Sequence, residues 1–233
     1  MKLFSSWSGG KDCALATYKA ISQGHEVLYL VNFISEDGER TRSHGIKASA
    51  LALQAEAIGI PLIQRKTSWE NYEENFKKVV RELKDKGIEG GVFGDIDLEE
   101  HREWVERVCT ELEIMALLPL WGVKAEKLID EFLKLEFKAI VIATRLEEEL
   151  LGKVLDKALV EEITQLGSHP CGERGEYHTF VTAGPIFKKG LKVSRGKTEM
   201  RDGMWFLEIS AAVIARDKAP KQSDTKCHSK PKP

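Results

Sequence analysis

No two cysteines of this chain form a C-x-x-C pair, and there are only four: Cys13, Cys109, Cys171 and Cys227. That spacing excludes a zinc ribbon and a dithiol redox motif. Cys109 lies in a helical pattern and reads as a core residue, while Cys227 falls in a polar tail. Long apolar runs are also missing, so no membrane span is expected. A polar loop arrives before an apolar h-region could be completed, so no secretory signal is expected and the cytoplasm is the expected location. Charge of one sign is nearly balanced, at −2 over 233 residues. There is thus no overall basic field, which makes tRNA the less favoured partner. No internal repeat is visible, and the Walker A spacing G-x-x-x-x-G-K-[ST] is absent.

What is there begins with "WSGGKDC", Trp7 to Cys13. The preceding "MKLFSSW" is β-prone, and "DCALATYKAISQ" carries apolar residues at helical spacing before Gly24. The loop therefore joins a strand to a helix N-terminus, where unpaired amides and the positive end of the helix dipole favour an anion. Gly9 and Gly10 let the backbone approach a phosphate closely. Ser8 adds a hydroxyl and Lys11 a charge. Asp12 is a candidate metal ligand or a first-turn residue satisfied by the dipole. Cys13, also in the first turn, is expected to have a lowered pKa, yet packing explains it better than nucleophilic chemistry.

Strand and helix then alternate. Residues 26–34 read as a buried strand, 46–60 as a helix, 62–67 as a strand, 70–87 as an amphipathic helix, 90–96 as a fourth strand and 98–112 as a helix. Such alternation predicts an α/β fold with a doubly wound parallel sheet, whose ligands bind beyond the carboxyl ends of the strands. Gly94 and Asp95 close the fourth strand. Asp95 is a candidate for metal or ribose, or a cap for the helix from Leu98. His44 is a candidate phosphate or carboxylate contact, or a residue capping the second helix. Near "LLPLWG" the pattern shifts to a helix, a strand at 138–145 and a charged helical stretch ending in "LGKVLDKALVEEITQLG". Three antiparallel strands follow, with Asp202-Gly203 as a hairpin turn. The expected division is residues 1–120, a smaller α+β domain at 121–220, and a disordered tail at 221–233.

A second constellation is "GSHPCGERGEYHTF", residues 167–180. Its polarity does not suit a core. Glu173 and Glu176, three residues apart on a glycine-rich backbone, could hold Mg²⁺, accept an ammonium or remove a proton. A zinc site from His169, Cys171 and His178 fits no usual spacing.

Taken together, these motifs resemble the diphthine–ammonia ligase family of the N-type ATP pyrophosphatases. The resemblance runs through SGGKDC, His44-Gly45-Ile46, "GDI", "PLW", Leu151-Gly152-Lys153, Cys171-Gly172-Glu173, "GEYHTF" and "GPIFKK". It implies a PP-loop (HUP) fold and an ATP-binding domain over residues 1–120, with Ser8, Gly9, Gly10, Lys11, Asp12, His44, Gly94 and Asp95 around the nucleotide. It implies an acceptor-binding domain at 121–220, with Lys11, Glu173, Glu176 and His178 in the catalytic set. ATP and Mg²⁺ are the implied cofactors, ammonium the nitrogen source, and diphthine on elongation factor 2 the acceptor. The sequence leaves the oligomeric state open, with a homodimer among the options. Two departures stand out: His178 replaces an acid of the family's G-E-G-G-E-[YF]-E-T motif, and Glu39 to Ser43 replace a Tyr-Met-Tyr-type segment. Alternatives are a PP-loop enzyme that thiolates or aminates tRNA, and a non-catalytic adenine-nucleotide sensor.

Overall fold

The first strand, β1 (Lys2–Ser6), sits at the centre of its sheet because Leu3 and Phe4 are apolar on both faces and wholly buried. The structure is a computed structural model that describes residues 1–42 and 44–215. The tail at 221–233 and Cys227 lie outside the described residues. After β1 come α1 (Lys11–Ser22), β2 (Glu26–Ile34), α2 (Ala48–Ile58), β3 (Leu62–Lys66), α3 (Tyr72–Lys84), β4 (Gly90–Val92), α4 (Glu99–Glu111) and β5 (Met115–Leu117). All five strands are parallel, in the order β3-β2-β1-β4-β5. The doubly wound expectation therefore holds. The chain builds outward from β1 through β2 to β3, then returns to β1's other side with β4. The crevice between the carboxyl ends of β1 and β4 is thus the switch point where such folds bind ligands.

Two of these elements differ from the sequence reading. Strand β4 ends at Val92, so Asp95 stands three residues beyond it, in the loop, rather than closing the strand. Residues Met115–Leu117 form a fifth strand within a stretch whose shortness hid it.

One face of the sheet packs α3 and α4 around Phe4, Phe76, Val80 and Val108. The other carries α1 and α2, and against these lies a second unit. It comprises α5 (Ala125–Lys134), β6 (Lys138–Thr144), a 3-10 turn (Glu148–Leu150), α6 (Lys157–Gln165), β7 (Tyr177–Ala183), β8 (Gly190–Arg201) and β9 (Met204–Ile214). The stretch before α6 was expected to be helical. Instead Gly152 and Leu155 donate backbone hydrogen bonds to β6, and α6 starts only where Asp156 accepts from the Leu159 amide at 2.8 Å. Strands β6 to β9 form an antiparallel sheet in the order β7-β6-β9-β8, with the hairpin turning at Asp202-Gly203 as its sequence implies. Among the described residues no helix is long and apolar enough to cross a membrane.

Candidate active site

The loop after β1 is held from behind by a single buried amide. Gln54 of α2 accepts from Trp7 Nε1 at 2.9 Å and donates to the carbonyls of Gly9, at 3.0 Å, and Val181, at 2.6 Å. The Val181 amide also donates to the Gly9 carbonyl at 2.9 Å, so β7 is sewn to the loop. Gly9 has φ +84°, and a Cβ there would lie 2.5 Å from Leu51 Cδ1. Gly10 is the N-cap residue of α1, whose start has no side-chain cap. Glycine is required at Gly94 as well, where a Cβ would meet the Cys13 nitrogen at 2.8 Å. That contact sets the β4 loop directly against the first turn of α1.

Lys11 does not extend into open space. Its side chain is 4% exposed, and Nζ donates to Asp12 Oδ2 at 2.9 Å and to the Cys171 carbonyl. The ammonium also lies 5.0 Å from the centre of the Tyr177 ring, and the Lys11 amide donates to Thr179 Oγ1 at 3.1 Å. Burial alone would lower the Lys11 pKa, but Asp12, Tyr177 and Cys171 together drive it upward, so the group stays charged. Asp12 is pushed up by burial, with Lys11 opposing. Cys13 is also raised by burial. This corrects the expectation from its first-turn position, because desolvation of the thiolate outweighs the dipole.

A cavity of about 290 Å³ opens in front of the loop. Ser8, Lys11, Asp12, His44, Gly94 and Asp95 line it from the first unit, and Glu173 and His178 from the second. Gly9 and Gly10 lie behind this lining. The two glutamates of the second constellation part company. Glu173 accepts from the Ile96 amide at 2.9 Å and reaches the cavity. Glu176 is turned back into its own loop, one oxygen accepting from the His169 amide and the other from the Arg174 amide, both at 2.9 Å. Its geometry is that of a loop brace, not of a group facing the cavity. The trio His169, Cys171 and His178 does not converge either. The Cys171 thiol points to the Ala125 carbonyl and is pushed up to about 12 by burial, while His178 lies tilted against another ring.

That partner is His44, with ring centroids 4.2 Å apart. His44 Nδ1 lies 3.2 Å from the Ser8 carbonyl. A carbonyl can only accept, so Nδ1 carries the proton and Nε2 is the free acceptor of the neutral ring. Burial depresses His44 to about 4 and His178 well below the usual histidine range.

Sequence reasoning missed His101. It lies in the first turns of α4 with Nδ1 3.2 Å from Asp95 Oδ1, so Asp95 pairs sideways with it instead of capping the helix. Asp95, His101 and Glu173 each present one ligand atom, all within 4.8 Å of one another. Burial pushes Glu173 up to about 7, with the carboxylates of Asp12 and Asp95 adding to it. Gln54, Arg42, Trp69 and Tyr72 were missed too. Only the last two carried a signal, as aromatics just after β3 beside a sheet's carboxyl end.

Two family models match the chain: the diphthamide synthase N-terminal domain over residues 1–116 and the diphthamide synthase C-terminal domain over residues 124–218. The diphthine–ammonia ligase of Mus musculus is 29% identical, covering 93% of this chain and 91% of its own length. That of Bos taurus is 31% identical, covering 83% of each. A solved structure titled as a predicted subunit of tRNA methyltransferase from Methanocaldococcus jannaschii aligns with a TM-score of 0.43 at 15% identity, over 79% of this chain and 98% of that one.

Proposed function

Since the chain belongs to the diphthamide synthase family, a family of ligases, we propose that it forms an amide at the expense of ATP, through an acyl-adenylate, on diphthine of elongation factor 2. The observation that carries this reading is one cavity shared by the SGGKD loop and Glu173. The first turn of α1 beside Ser8 presents amides and the positive end of the helix dipole to a phosphate, and a half-buried carboxylate in the same cavity suits proton transfer at neutral pH.

In this reading the acceptor carboxylate attacks the α-phosphorus and pyrophosphate leaves. Ammonia then attacks the mixed anhydride, releasing AMP. Ser8 and the loop backbone hold the phosphates. Lys11, fixed between Asp12 and Cys171, supplies a positive charge that offsets the charge gained by pyrophosphate. Glu173 orients ammonium and takes its proton, and Glu176 keeps the loop in shape. Asp12 would hold Mg²⁺ with the phosphates. The fit is chemical: carboxylate oxygens suit this hard cation, and Asp12, Asp95 and Glu173 bring three carboxylates to this one cavity. The metal would neutralise phosphate charge.

The test is release of AMP and pyrophosphate with diphthine-bearing elongation factor 2, with tRNA, and with neither. Release only with the first supports the proposal. Release with tRNA alone favours base modification, and binding of ATP without release in any arm makes the protein a sensor.

A further inference from the structure

Away from the SGGKD loop, one wall of the cavity is aromatic. Phe33, Trp69 and Tyr72 line it on the β2–β3 side. The Tyr72 ring centre lies 4.9 Å from that of Phe33 and 6.0 Å from that of Trp69, with the rings inclined rather than stacked. Trp69 is 63% exposed, more than any other large hydrophobic side chain among the described residues. Its indole already attracts a cation, the Arg42 guanidinium 4.5 Å from the ring centre. Asp95 and Glu173 line the same cavity. Tyr72 senses this acidic side: its pKa is pushed up to about 12 by burial and, further, by Asp95.

We propose that this corner binds a methylated ammonium group of the acceptor, with Trp69 and Tyr72 as its aromatic wall and Asp95 as its counter-charge. The choice follows by comparing occupants. A purine would cover the rings but bring no positive charge to the carboxylates. A bare metal ion would pair the carboxylates but leave the indole in water. A quaternary ammonium satisfies both, since its methyl groups pack on the ring faces while its charge is drawn to ring quadrupole and carboxylate alike. The inference rests on the ligase reading. Diphthine carries a trimethylammonium and the carboxylate to be amidated on one carbon. The wall that holds the cation and the group that delivers ammonia must then be neighbours, as Tyr72, Asp95 and Glu173 are.

Choline and its uncharged isostere 3,3-dimethyl-1-butanol separate these terms in calorimetric titrations of the full chain. Choline is expected to bind saturably in the millimolar range, with the isostere about tenfold weaker or worse. Trp69→Ala should weaken choline by about tenfold and leave ATP affinity in place, while Trp69→Phe retains most of the binding. Because Trp69 is exposed, these variants fold. Equal binding of choline and isostere, or no saturable choline binding, overturns the proposal. So does a Trp69→Ala variant that loses ATP but not choline, which would make the wall a purine platform. Two results keep this failure distinct from that of the ligase reading. Choline bound by a protein that does not amidate diphthine refutes the ligase reading alone. Amidation whose acceptor KM is untouched by Trp69→Ala refutes the cation corner alone.

Discussion

Glu173 differs from Glu176 by what its oxygens face, and that difference makes a test. Glu173→Gln should cut amide formation by about 10²-fold while ATP affinity changes little, within the usual range for a lost general base. Glu176→Gln should act mainly through stability, because it weakens two backbone contacts within the loop. Equal effects of both variants on amidation, measured as amide product per AMP, would undo the division. Glu173 also has a pH signature. Its folded pKa of about 7 lies above the ordinary 4.5. Between those values the native state holds a proton that the unfolded chain has lost, so its contribution to stability falls as pH rises through that window. Urea titrations at about pH 5 and about pH 8 should show a steeper loss in the wild type than in Glu173→Gln. Gly94→Ala, which sets a Cβ against the Cys13 and Asp12 backbone, should cost about 2 kcal/mol in the same assay.

Among the elements, α2 matters for more than its packing. It delivers Gln54, wholly buried, to the point where β1, the SGGKD loop and β7 meet. Gln54→Leu keeps the volume but strands the Trp7 indole N–H and the Val181 carbonyl. Each unsatisfied group costs about 1–3 kcal/mol, so a loss of about 2–4 kcal/mol is expected by denaturant unfolding, together with weaker ATP binding. A stability change below about 0.5 kcal/mol would show that the amide does not hold the loop. Helix α6 offers a smaller case. Asp156→Ala removes its N-cap and should cost about 1 kcal/mol, with ATP binding intact, since the helix lies away from the loop.

At the scale of the whole molecule, the two sheets share one core. Trp7, Leu15 and Leu51 from the first unit belong to the same cluster as Phe132, Phe180 and Val181 from the second. Lys11 adds polar ties to Cys171 and Thr179. A single cooperative unfolding transition is therefore expected, with circular dichroism and tryptophan fluorescence coincident. Two resolved transitions would show that the units are energetically separate and that the cavity between them is not rigidly built.

The sequence by itself determined the periodic and local features. Apolar strands alternating with amphipathic helices dictate a parallel sheet, the glycine pair before α1 dictates a tight loop at its helix start, and Asp202-Gly203 dictates a hairpin. These are legible because each depends on neighbours a few residues away. The motifs resembling a ligase family were also legible, and the relatives bear out that family. Tertiary structure alone decided which polar groups meet. Glu173 and Glu176 look equivalent three residues apart, yet one reaches Asp95 and the Ile96 amide while the other satisfies its own loop. His101 and Asp95 pair only because β4 stops at Val92 and leaves a loop to bend. Lys11 looks like a free cation beside a glycine-rich loop, but Asp12, the Cys171 carbonyl and the Tyr177 ring fix where its ammonium sits. Side-chain partnership across 70 to 170 residues depends on the packing of two sheets, and no local spacing encodes it.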